Sequence, residues 1–163
     1  LPGHHAANVE AVSAAMEAVA REAASRFVVN TGDNFYWCGI TSSTDSQVQT
    51  DWVEAYSGYL DEIEWYNVLG NHEYGYNVDA QLNLAPKWIL PSRYYTSKIE
   101  LNSERSISFI FLDTSPCIEA YRSNATAGWD PCGDEYPTCS INGDDDFEGA
   151  CKFHENIISH DCQ

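Results

Sequence analysis

Two short stretches of this chain end in the same way, and as a pair they restrict the fold more than any other feature. Phe27-Val28-Val29 is an apolar run halted by Gly32-Asp33, with Asn34, Phe35 and Tyr36 directly after. Trp65-Tyr66-Asn67-Val68-Leu69 is halted in turn by Gly70-Asn71-His72-Glu73. An apolar β-branched and aromatic run that stops at a glycine reads as a buried parallel strand whose carboxyl end opens into a loop. α/β proteins hold their chemistry at that edge of the sheet. Singly, Gly-Asp and Gly-Asn are ordinary turn pairs, because these residues are favoured in turns. A helix's length separates the two runs, so a right-handed strand-helix-strand crossover brings both loops to one edge. The Asp33 carboxylate, Tyr36 phenol, Asn71 carboxamide and His72 imidazole are therefore expected to share one site.

Gly-Asp-x-x-Tyr followed by Gly-Asn-His-Glu, each closing an apolar strand, resembles the calcineurin-like metallophosphoesterases. Within them it is most similar to the purple acid phosphatases of the tartrate-resistant type. The resemblance implies an α/β fold: a metallophosphatase-like β-sandwich flanked by helices, of which only the front and middle is present. It also implies hydrolysis of phosphate monoesters at acid pH by a ferric ion paired with a divalent ion (iron, zinc or manganese). Carried over residue by residue, Asp33 is the bridging metal ligand, Tyr36 the phenolate on ferric iron and Asn71 the carboxamide on the divalent ion. His72 is then the catalytic group, facing the phosphate or leaving group. The chemistry suits these residue types. Two cations roughly 3.5 to 4 Å apart clamp a phosphate and acidify a bound water, and an imidazole beside them serves as acid or hydrogen-bond donor.

The family pattern further calls for an Asp at the end of an upstream strand and for histidines in Gly-His-x and Gly-His-x-His motifs. This sequence has none of these, and His154 and His160 lie in neither kind of motif. With only Asp33, Tyr36 and Asn71 as ligands, the chain alone is expected to bind metal poorly and to be inactive. Two accounts follow: an incomplete chain of a phosphatase, and an inactive phosphatase-like domain with a structural or adhesive extracellular role. The ordered survival of a helix, both motifs and a hairpin favours the first. In that account the remainder of the domain, or another chain, covers the open sheet edges.

The 163 residues amount to one domain, and 44% hydrophobic content is enough for a globular core. A net charge of −17 repels nucleic acid and anionic lipid, so neither is an expected partner. No apolar run approaches the roughly 20 residues of a membrane span, and the first residues lack an apolar signal core. Because the chain opens at Leu1 rather than Met, whatever came first is expected to have been removed. Six cysteines and a pI near 4.3 point to disulfides in a secreted or lumenal protein, with the pairing left open. Asn124-Ala125-Thr126 is an N-glycosylation acceptor sequence.

Along the chain, apolar spacing predicts amphipathic helices over 8–25 and 47–59 and a short helix over 77–85, while His4 and His5 take no role. Strands are predicted over 98–102 and 106–113 as a hairpin belonging to a sheet interior. Residues 1–113 form the strand-helix core. Residues 114–163 are acidic, Cys-rich and poor in apolar periodicity, and read as a loop region braced by disulfides rather than by a hydrophobic core. The acidic run Asp144-Asp145-Asp146 there does not match the EF-hand spacing and reads as a solvated turn.

Overall fold

Strands β1 (Phe27–Asn30) and β2 (Glu64–Asn67) pair in parallel, with Phe27 opposite Glu64 and Asn30 opposite Asn67. Strand β3 (Trp88–Ile89) adds to the far side of β2, again parallel, giving a three-stranded sheet of order β1-β2-β3. These details come from a computed structural model that describes residues 2–36, 38–122 and 153–160. Asn124, the acidic run at 144–148, and Cys132, Cys139, Cys151 and Cys162 lie outside the described residues, and with them most of the expected disulfide brace. Cys38 and Cys117 are each disulfide-bonded.

Alternation along β2 explains why its sheet is covered on both faces. Trp65 points toward helix α1 (Pro2–Glu22) and helix α2 (Tyr59–Glu62), where it packs with Ala20, Leu60 and Ile63 and donates its Nε1 hydrogen to the Leu60 carbonyl at 2.9 Å. Tyr66 points the other way, onto Ile99 and Phe111, its ring stacked 5.7 Å from that of Phe111. Burying side chains of this size is worth roughly 1.5 to 3 kcal/mol each, so β2 is the strand that ties the layers together. The main core lies under the loops at the strand ends and gathers Phe35, Trp52, Leu69, Tyr74, Trp88 and Leu90.

The hairpin is β4 (Tyr94–Glu100) and β5 (Ser106–Leu112), antiparallel, with Tyr94 opposite Leu112. Its turn is held by the Asn102 side chain, whose Oδ1 accepts the N–H groups of Glu104 and Arg105 at 2.9 Å each. Contrary to the sequence expectation, this hairpin is not a sheet interior. It is a separate two-stranded sheet whose inner face packs on Phe27 and Tyr66, while Tyr94, Ile110 and Leu112 on the outer face are 56, 72 and 57% exposed. The apolar run from Phe109 to Leu112 reads as buried on both faces, yet only its inner face has a sheet beside it.

Three further expectations need correction. The helix expected over 8–25 runs from Pro2 to Glu22, and Val12 and Val19, which the apolar spacing puts on its inner face, stand 54 and 64% exposed because the stripe through Met16 and Ala20 is what meets β1 and α2. The single helix expected over 47–59 is a π-helical turn at Val48–Val53 followed, after a break at Gly58, by α2. Gly58 sits at φ 70°, where a side chain would also run into the Glu17 carboxylate of α1. The helix expected over 77–85 shrinks to a 3₁₀ turn at Val78–Gln81.

The segment after residue 113 is not all loop. A 3₁₀ turn at Ser115–Cys117 leads into helix α3 (Glu119–Arg122), and α4 (Phe153–Ile158) buries Phe153 and Ile157 fully in the main core. Asn156 fixes α4 to the second motif loop by donating to the carbonyls of Tyr74 and Tyr76 at 2.7 Å. Among the described residues, no helix is long and apolar enough to cross a membrane.

Candidate metal and phosphate site

The loop after β1 turns sharply through left-handed backbone at Gly32 (φ 103°) and Asp33 (φ 53°). The loop after β2 lies against it so closely that a Cβ on Gly32 would stand 2.7 Å from the Gly70 nitrogen. A Cβ on Gly70 would run into the Asp33 carboxylate and main-chain nitrogen. Glycine at both positions is therefore a steric requirement of two backbones in contact. That contact carries Asp33 into the second loop.

The Asp33 carboxylate joins the two motifs. Its Oδ2 accepts the Tyr36 hydroxyl at 2.9 Å and its Oδ1 accepts the His72 main-chain N–H at 3.3 Å. The Tyr36 and His72 rings stand 4.5 Å apart, centroid to centroid. Tyr36 is half exposed and His72 is buried. Asn71, half-buried, heads the 3₁₀ turn His72–Gly75, and its carbonyl accepts the Tyr74 N–H at 3.2 Å. The residues read from the sequence as one site thus meet at one sheet edge, with Asp33, Tyr36 and His72 in direct contact.

Sequence reasoning quoted Glu73 in the motif and gave it no role, yet it is the most enclosed charged group of the site, with 0% exposure. Its Oε2 accepts the N–H of Gly70 at 2.6 Å and of Asp33 at 3.0 Å, and its Oε1 accepts the N–H of Asn34 at 2.6 Å and of Phe35 at 3.1 Å. Burial pushes this carboxyl up to about 7, and the nearby Asp33 charge adds to the rise, while the N–H groups of Gly70, Phe35 and Asn34 pull it down. Gly70, three residues before Glu73, is its one nearby donor, and the other three lie some forty residues earlier in the chain.

Beneath the loops, Asn34 accepts from the Asn30 carboxamide at 2.6 Å and donates to the Val68 carbonyl and to Gln81 at 3.0 and 3.1 Å. Behind them, the Tyr74 hydroxyl donates to Asp113 Oδ2 at 2.5 Å and accepts from Arg93 at 3.0 Å, and Arg93 also pairs with Asp79 at 2.8 Å. Burial raises the Asp113 carboxyl above its ordinary value. Tyr121 of α3, also missed, lies near enough for the Asp33 charge to add to the rise that burial gives its phenol.

Asp33, Tyr36 and Asn71 offer only oxygen donors, a set suited to hard cations. Among the described residues no group of three or more His, Cys, Asp or Glu is placed to hold a metal. First-row metal sites usually take about four protein ligands or keep an open position on three. The set therefore fits one side of a metal site and does not by itself complete a two-metal centre.

The profile of the calcineurin-like phosphoesterases matches residues 4–147. Purple acid phosphatase 7 of Arabidopsis thaliana is 36% identical over 98 residues, which cover 58% of this chain and 29% of the relative. Tartrate-resistant acid phosphatase type 5 of Rattus norvegicus is 32% identical over 93 residues, covering 54% of this chain and 28% of the relative. The chain thus spans under a third of the length of these relatives. Among solved structures, GAP50, described as the anchor in the inner membrane complex of Plasmodium, shares the fold with a TM-score of 0.58 at 23% identity, over 68% of this chain and 38% of that one.

Proposed function

The chain belongs to the calcineurin-like phosphoesterase family, and on that premise we propose that it carries one side of the active site of a purple acid phosphatase. The complete molecule hydrolyses phosphate monoesters at acid pH with a ferric ion and a divalent ion. Asp33, Tyr36 and Asn71 are its metal ligands from this chain, and His72 is the catalytic group directed at the phosphate. The observation that carries this reading is the Asp33 carboxylate, which accepts from Tyr36 of its own loop at 2.9 Å and from His72 of the other at 3.3 Å. The resemblance of both motifs to the purple acid phosphatases supports it. Within that site Asp33 fixes the start of the His72 turn through a main-chain contact, and the imidazole packs against the Tyr36 ring.

Further donors must join this set before the centre is complete, and we place them in the remainder of the domain or in another chain that also covers the open sheet edges. The disulfides at Cys38 and Cys117 favour an oxidising, extracellular or lumenal setting. A disulfide brace over 114–163 and glycosylation at Asn124 belong to the same proposal, as does the division into a 1–113 core and a Cys-rich 114–163 region. Neither nucleic acid nor an anionic membrane surface is a partner in this reading.

The test is hydrolysis of p-nitrophenyl phosphate at acid pH by the native full-length molecule, beside Asp33→Asn. Activity that falls at least about tenfold to a hundredfold in the variant, together with its metal content, supports the reading. Full activity without the Asp33 carboxylate contradicts it.

A second reading is a phosphatase-like domain without catalysis, used for structure or adhesion outside the cell. It is favoured by the shortage of donors among the described residues and by the exposed Ile110 and Leu112 on the outer hairpin face. A full-length molecule that retains no metal and hydrolyses no phosphate ester would make it the better account.

A further inference from the structure

Glu73 faces away from solvent, is fully buried, and is not among the groups assigned to metal or phosphate. A buried carboxylate is costly unless its lone pairs are met. Here they are met by main-chain N–H groups from both motif loops: Asp33, Asn34 and Phe35 from the first and Gly70 from the second. No other described side chain accepts from the backbone of both loops. Each oxygen takes a pair of these donors, and Oε2 takes one from each loop.

We propose that Glu73 is the positioning residue of the site, setting the angle and separation of the two motif loops so that the Asp33 carboxylate, Tyr36 and His72 meet. This inference rests on the phosphatase reading for what the site does, and on geometry alone for what Glu73 does. Asp33 sits in left-handed backbone (φ 53°), a conformation that costs a non-glycine residue energy and persists only when neighbours hold it. Glu73 holds the nitrogen of that residue on one side and the nitrogens of Asn34 and Phe35 on the other. With the first loop pinned, Oδ1 of Asp33 reaches back to the His72 N–H, one residue before Glu73. The arrangement is reciprocal, since each loop's carboxylate accepts from the other loop's backbone.

The chemistry also says which replacement breaks it. Every partner of Glu73 is a donor, so the site needs an acceptor at both oxygens. Gln matches Glu in size but turns an NH₂ group toward a pair of N–H groups, which leaves those donors unmet inside the protein. Glu73→Gln therefore tests the contact without opening a cavity.

The experiment is native-state amide hydrogen exchange on the full-length molecule, wild type beside Glu73→Gln, with iron content and visible spectrum read on the same samples. In the wild type, the amides of Asp33, Asn34, Phe35 and Gly70 are expected to be protected like those of β1 and β2. In Glu73→Gln some or all of these should exchange at least about tenfold faster, hairpin amides such as that of Phe109 should not change, and any iron–tyrosine absorption should weaken or shift. Loop amides that exchange in the wild type as fast as open coil overturn the proposal, even where the variant fails to fold. So does a folded variant with unchanged protection at these amides. A wild type that holds no metal defeats the phosphatase reading and leaves the exchange result to decide the role of Glu73.

Discussion

Asp33 and Glu73 trade hydrogen bonds across the two motif loops: Glu73 Oε2 accepts the Asp33 N–H at 3.0 Å, while Asp33 Oδ1 accepts the N–H of His72, the residue before Glu73, at 3.3 Å. Two carboxylates from different strands thus each complete the backbone of the other's loop. The carboxylate proposed as a metal ligand is held in place by a neighbour whose own oxygens accept main-chain N–H groups.

The close approach of the loops makes Gly70 intolerant of any side chain. Gly70→Ala places a methyl group against the Asp33 carboxylate and nitrogen, and the loops must part for it to fit. Thermal unfolding of the variant should show a loss of about 1 to 3 kcal/mol. Unchanged stability and unchanged activity would mean that the loops do not touch in solution.

Burial raises the Asp113 carboxyl against the pull of the Tyr74 hydroxyl, the Ser115 amide and the Arg93 charge. A carboxyl raised in the folded state gives its full stabilisation below its ordinary value of about 3.9, and that contribution is lost as pH rises from there through the folded value. The sign follows because the unfolded chain releases the proton first. Urea midpoints taken from about pH 4 to 7 should therefore fall more in the wild type than in Asp113→Asn, which removes the titration. Parallel slopes in the two proteins would remove Asp113 as the cause.

Helix α4 is tied to the main core through Phe153 and Ile157, at 1 and 0% exposure. Ile157→Ala should cost about 2 to 5 kcal/mol, as a truncation inside a packed cluster does. A change within about 0.5 kcal/mol, typical of surface positions, would detach α4 from the core.

Opposite faces of β5 should respond differently. Phe111, at 5% exposure, stacks on Tyr95 at 4.6 Å and on Tyr66, whereas Ile110 is 72% exposed. Phe111→Ala is expected to lose about 3 to 5 kcal/mol and Ile110→Thr about 0.5 kcal/mol or less. If Ile110→Thr proves as damaging in the full-length molecule, the outer face is covered there.

The parallel strands and their shared edge were legible because both signals are local: an apolar run and the glycine that stops it. The meeting of Asp33, Tyr36 and His72 was legible because they sit in those same loops. Glu73 was not, since its partners at residues 33–35 are remote in sequence and main-chain donors leave no mark on the sequence. Gly58 breaks an otherwise helical pattern with left-handed backbone at φ 70°, and the next residue, Tyr59, donates its N–H to Glu17, which is remote in sequence. The outer face of β5 misled for another reason, because an apolar run states what would favour burial and not whether a layer is there to bury it. Helix α4 is too short for its period to stand out, and only packing reveals Phe153 and Ile157 as core.

The central claim, that the two loops form one side of an iron-containing phosphatase site, is tested most directly by the visible absorption of the full-length molecule. A phenolate bound to ferric iron gives a charge-transfer band, and Tyr36 is the phenol that touches Asp33. The account predicts a purple protein that loses its band in Tyr36→Phe while the fold survives. A full-length protein that hydrolyses phosphate monoesters while colourless and free of iron, or one whose band survives Tyr36→Phe, would contradict it.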